Sequence, residues 1–249
     1  PLTTERIADI QARIREQPYK QRPDSLSFHL ARARARVLQD ASVQGLLNAK
    51  AVFKTQLEQQ SRFQVVAAHY GLSFVAVKQG KPLDAQKELD AANAALHKPA
   101  GPNVFTSGGT QAPNSLLAAM GLEVLLMPAQ KKEVAQQALT AADAARQQFP
   151  LSRGIAHQYA EALMAAGKLE QATLYLRDQV QLYKEEPELY DLLAKSYADQ
   201  GKMTLQHMAL AESYVLQGAT MAALDQLTIA RKSTDATFYD QAVIDARER

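Results

Sequence analysis

Along almost the whole of this 249-residue chain, apolar residues recur at spacings of three and four, interrupted only by short polar or Gly/Pro stretches. That is the period of one buried face of an α-helix, and the alternation of a half-buried strand is nowhere sustained. The pattern predicts an all-α chain with helices at about 4–16, 24–38, 42–58, 62–79, 82–97, 114–127, 130–148, 153–166, 169–184, 187–200, 203–217, 220–232 and 237–247. Composition agrees, since Ala, Gln and Leu abound while aromatic residues are 6% and Trp is absent; helix formers dominate. Hydrophobic residues at 47% and charged residues at 22% allow a packed core and exclude a disordered chain.

Punctuation organises these helices. Pro187 suits a first helical position with Glu188 beside it at the positive end of the dipole, and Ser152 is placed to cap the helix it precedes. Gly80, Gly167, Gly201 and Gly218 fall where helices should stop. Gly167 and Gly201 stand 34 residues apart, a period that belongs to repeats built of one helix pair. Tyr159 and Ala160 form a large-then-small pair in the first helix of such a unit, and Ala172 is the small residue that opens the second. Leu72 with Ser73, followed by Ala85 and Ala92, repeats the arrangement; Ala138 and Ala145 before Phe149 and Pro150 give a third version, and Ala211, Ala223 and Ala230 a fourth. Small residues let two helix backbones cross closely while large neighbours fill the flanks.

This grammar resembles the tetratricopeptide repeat. The resemblance implies an α-solenoid of stacked antiparallel helix pairs wound into a right-handed superhelix, with residues 24–249 as the repeat domain and 1–23 as an N-terminal helix and linker following a missing upstream domain. One departure is visible: Gly201 and Gly218 are only 17 residues apart, so 203–217 reads as a first helix where alternation demands a second. The helix at 237–247, with Phe238, Tyr239, Val243 and Ile244, is expected to cap the stack. Between Lys98 and Pro113 a long loop breaks the rhythm, with Val104 and Phe105 as its only large apolar residues; the pair either anchors the loop on its own scaffold or belongs to a functional segment.

Catalytic chemistry has no visible carrier. Cys is absent, which removes disulfides and thiolates, and none of the histidines at 29, 69, 97, 157 and 207 has a second His three or four residues away for a helical zinc pair. HExxH, phosphate-binding loops, GxGxxG and GxSxG are missing; Gly71-Leu72-Ser73 lacks the following Gly of a nucleophile elbow. The net charge of +2 does not point to nucleic acid. Arg32 and Arg36 share a helical face with His29 while Arg34 points elsewhere, which suits a solvated or partner-facing surface better than a phosphate site. No apolar run approaches the roughly 18 residues of a membrane-spanning helix. No metal or cofactor is expected in this chain.

The opening PLTTERIADI resembles the segment that follows the peptidase domain in bacterial zinc metallopeptidases of the beta-barrel assembly-enhancing protease type, and FHLARARARVL at 28–38 and LAESYVLQGATMAALDQLTIAR at 210–231 are similar in style. The resemblance implies a periplasmic protein whose HExxH and zinc precede Pro1, the chain being a processed product or a piece. Its repeats would recruit outer-membrane assembly machinery or misassembled outer-membrane proteins. Two other readings remain: a free-standing tetratricopeptide adaptor in secretion or pilus assembly, and an all-α enzyme with an unrecognised site.

In tetratricopeptide stacks the first helix of each pair lines the concave face, so the resemblance places Tyr70, Phe74 and Lys78 there, then His157, Gln158 and Glu161, then Asp191 and Lys195. Aromatic anchors beside charges of both signs suit an extended peptide or a protein edge. Tyr70 and Phe74, four apart on one face, fit packing against the next helix equally well, and the polar positions fit plain solvation.

Overall fold

The computed structural model describes residues 3–16, 24–58, 61–97, 113–128 and 132–248. Among them lie thirteen α-helices and no strand. They are α1 (Thr4–Glu16), α2 (Leu26–Gln39), α3 (Val43–Leu57), α4 (Arg62–Lys78), α5 (Pro82–His97), α6 (Ser115–Leu125) and α7 (Lys132–Gln148). Then come α8 (Arg153–Ala165), α9 (Leu169–Leu182), α10 (Pro187–Asp199), α11 (Met203–Leu216), α12 (Thr220–Lys232) and α13 (Phe238–Arg247). Each boundary falls within two residues of the expectation from periodicity. The expected loop at 98–113, with Val104 and Phe105, lies outside the described residues apart from Pro113, as does most of the linker before residue 24.

The helices stack as an α-solenoid of tetratricopeptide type. An inner row runs α2, α4, α6, α8, α10, each helix packed on the next, while α3, α5, α7, α9 and α11 each fill the outer groove between two helices of the row or its end. Burial therefore passes from neighbour to neighbour instead of converging on one centre: one core joins α2 to α6, a second α6 to α9, a third α8 to α11 and a fourth α11 to α13. α1 is exposed from Thr4 to Arg13, with Ile7 and Ile10 facing solvent.

Glycine closes the helices by one repeated mechanism. Gly80, Gly167, Gly201 and Gly218 have φ between 70° and 75°, a left-handed conformation that costs any residue with a Cβ. Each turn is sealed by a six-residue backbone bond, Lys81 to Ala76, Lys168 to Leu163, Lys202 to Tyr197 and Ala219 to Tyr214, at 2.8–3.0 Å, the Schellman arrangement. Seven residues before each glycine stands a buried small residue, Ser73, Ala160, Ala194 or Ala211, where the paired helix crosses. Ser73 uses the crossing to donate to the Ala85 carbonyl at 2.8 Å. Gly71 is required for close approach: a Cβ there would lie 2.4 Å from the Phe53 ring of α3.

The half-period at Gly201 and Gly218 has a structural counterpart. α11 packs extensively on both α10 and α12, while α10 and α12 do not pack as α8 and α10 do. His207 of α11 bonds Gln226 of α12 at 2.7 Å, as His69 of α4 bonds Glu88 of α5 at 2.8 Å, with the same separation in sequence. α11 is thus the second helix to α10 and simultaneously the first to α12, and the inner row stops at α10. Asp235, in the turn after α12, closes this end by accepting from the Thr204 amide and hydroxyl at the start of α11.

Two local expectations need correction. Ser152 occupies the cap position of α8 with extended backbone, but its side chain makes no cap bond; the helix start is held instead by Arg153, which pairs with Glu186. α13 caps the stack with Ile244 as its one buried described residue, a bond from Gln241 to the Arg231 carbonyl, and ion pairs from Arg231 to Asp245 and Glu248 and from Arg247 to Glu212. Phe238 and Tyr239 are 92% and 75% exposed, at the start of α13 that the capping box of Thr237 and Asp240 fixes.

Candidate functional site

Five side chains follow one another along the inner row, Arg34 on α2, Phe74 on α4, Glu123 on α6, Glu161 on α8 and Lys195 on α10: Arg34 meets Phe74 and Glu123, and Glu161 lies within the field of Glu123 and Lys195. Arg34 spans the first three. Its guanidinium lies 4.1 Å from the centroid of the Phe74 ring, donates to both carboxylate oxygens of Glu123 at 2.7 and 2.8 Å, and reaches the Tyr70 hydroxyl at 3.4 Å. A forked pair and a ring face satisfy a guanidinium in the plane and above it. The hydrogen bonds to Glu123 outweigh the partial burial and hold Arg34 still more firmly protonated than usual.

Of the two readings of Tyr70 and Phe74, this arrangement fits packing and not exposed anchors. They are 1% and 0% exposed, because α2 packs across α4 and lays Arg34 over them. Lys78 is exposed at the end of α4, its ammonium 5.1 Å from the centroid of the Phe74 ring.

The remaining expected residues lie on α8 and α10 in two groups. His157 and Gln158 are half-buried and engaged: His157 Nε2 meets Glu186 at 3.3 Å, and Gln158 donates to the Ala119 carbonyl of α6 at 2.9 Å. Glu186 also pairs with Arg153, whose guanidinium stacks 3.8 Å from the Tyr183 ring centroid. Burial lowers the His157 pKa, so the imidazole is favoured in its neutral form. Glu161 is half-buried, and among the described residues it accepts no hydrogen bond; burial pushes its pKa up, partly offset by Lys195 and reinforced by Glu123. Asp191 and Lys195 are exposed. The row is therefore closed over α2 to α6 and presents an accessible polar strip over α8 and α10.

Sequence reasoning set Arg34 apart from Arg32 and Arg36 without giving it a role, and passed over Glu123 and Glu186. Two of the three had a signal. Arg34 sits four residues after Leu30 and three before Val37, on the apolar stripe of α2, and Glu123 is the single charge in the otherwise apolar α6. Glu186 has no comparable mark, being one of two adjacent glutamates in a turn.

Concavities among the described residues are open clefts; one of about 580 Å³ is lined by Arg153, Tyr183 and Glu186 with neighbouring turn residues. No described group of three or more His, Cys, Asp or Glu residues is placed to hold a metal ion. No described helix is long and apolar enough to cross a membrane.

No protein-family model matches the chain, and no curated protein matches it. Thirteen chains of solved structures are similar to it. One is the crystal structure of YrrB, a TPR protein with an unusual peptide-binding site, at 19% identity over 81% of this chain and 91% of that one, with a TM-score of 0.47.

Proposed function

We propose that the chain is a protein-interaction module that holds an extended segment of another polypeptide along α8 and α10, with His157, Glu161, Asp191 and Lys195 as its contacts. The observation that carries this reading is the accessible polar strip of mixed charge on helices whose packing fixes their spacing. Charges of both signs at fixed intervals select the register of a chain laid across them, and a preformed scaffold limits the ordering cost of binding. A peptide segment also offers backbone groups to Glu161, whose half-buried carboxylate lacks a donor of its own.

We further propose, on the resemblance of PLTTERIADI and the two later segments, that the module recruits substrates or outer-membrane assembly partners for a periplasmic zinc metallopeptidase whose catalytic part precedes Pro1. The coding sequence upstream tests this half directly. HExxH there supports it, and a lipoprotein signal followed directly by Pro1 refutes it.

Peptides panned from a random 12-mer library test the binding half. Lys195→Glu combined with Asp191→Lys should weaken captured peptides by roughly 10–100-fold, the range of about 1–3 kcal/mol for interface charges. Unchanged affinity in a folded double variant would remove the strip from the account.

A further inference from the structure

The cluster at the closed end of the inner row is chemically complete for one ligand class. Phe74 offers a ring face at 4.1 Å, Glu123 a carboxylate that takes two parallel N–H bonds at 2.7 and 2.8 Å, and Tyr70 a hydroxyl at 3.4 Å. Face, fork and edge together match a planar guanidinium and fit an ammonium poorly, since a lysine head has no plane to stack and no parallel fork. Tyr70 and Phe74 belong to α4 and Glu123 to α6, two helices that also pack directly on each other. The side chain of Arg34 is still 31% exposed, so the seat opens to solvent.

We infer that Tyr70, Phe74 and Glu123 form a guanidinium-binding cradle whose resident ligand is the chain's own Arg34. The seat accepts an arginine-like group from outside only when Arg34 vacates it. This assignment stands apart from the polar strip on α8 and α10 and survives if that strip binds nothing. It also accounts for the closed end of the row: Arg34 occupies the place that an arginine of a bound segment would take.

The test uses the full chain with Arg34→Ala and methylguanidinium as the probe, with methylammonium at equal ionic strength as the control. The variant should lose thermal stability and regain part of it with methylguanidinium, by roughly 3–6 °C at a concentration about tenfold above its dissociation constant. Methylammonium should give no such rise, and the parent protein should gain nothing from either cation. Adding Glu123→Gln to Arg34→Ala should abolish the gain. If Arg34→Ala does not fold alone, methylguanidinium must restore its helical signal, and failure to do so overturns the proposal. Equal responses of variant and parent, or equal responses to the two cations, overturn it as well.

Discussion

Replacing Phe74 with Ala separates a buried ring from a binding anchor, and the structure sets the size of the effect. The ring is fully buried between α2 and α4 and also forms the floor beneath the Arg34 guanidinium. Deleting a buried Phe side chain costs about 3–5 kcal/mol through lost burial and the cavity left behind, and losing the stacked cation places this site toward the upper part of that range. At about 2–4 °C per kcal/mol for a chain of this size, the melting temperature should fall by roughly 6–20 °C. Stability in a stack is a sum over neighbours, so the loss should be local. Hydrogen exchange should show amides of α4 and α5 losing protection by about two orders of magnitude or more, with α10 to α12 little changed. Tyr70→Phe removes only a hydroxyl that meets Arg34 at 3.4 Å and should cost less than about 1 kcal/mol. Circular dichroism melts with exchange mass spectrometry make both measurements. An unchanged melt in Phe74→Ala would show that α2 does not cover the ring and that the closed end of the row is wrongly described.

Ala172→Leu places extra methylenes where Ala172 is fully buried at the α8–α9 crossing and should destabilise by roughly 1–3 kcal/mol, read by denaturant unfolding. Burial raises the Glu161 pKa, so the folded state holds more protons than the unfolded one between the ordinary carboxyl value and the raised one, and stability falls as pH rises through that window. Glu161→Gln should therefore be more stable than the parent at neutral pH, with the difference vanishing below the ordinary carboxyl range; a difference independent of pH would contradict this. His157 titrates with the opposite sense. Its pKa is lowered by burial, so stability should drop as pH falls below the ordinary imidazole value, and His157→Asn should flatten that part of the profile.

The helices were legible in the sequence because each end carries local chemistry: the four glycines need φ near 70°, and Pro187 starts α10. The repeat phase was legible too, including the slip at Gly201 and Gly218, since small residues must occupy every close crossing. The site was legible only in part. Counting along each inner helix assigns Tyr70 and Phe74 to the concave side, but the count says nothing of what the preceding repeat lays over them, and both are buried. That depends on Arg34, which joins Glu123 from 89 residues away. Phe238 and Tyr239 failed for the converse reason: an apolar helix at a chain end looks like a cap, yet of its described residues only Ile244 is buried.

The most direct test of peptide capture along α8 and α10 is photocrosslinking from a benzoylphenylalanine placed at position 199 on α10, one turn beyond Lys195 and exposed, with a second protein labelled at 174 on α9 for comparison, both offered the same panned peptide. Leu174 is exposed on an outer helix, so any difference reports which row the peptide occupies. Adducts are expected from 199, mapped to a defined peptide residue, and none above background from 174. Adducts from 174 with none from 199 would contradict capture on the inner row.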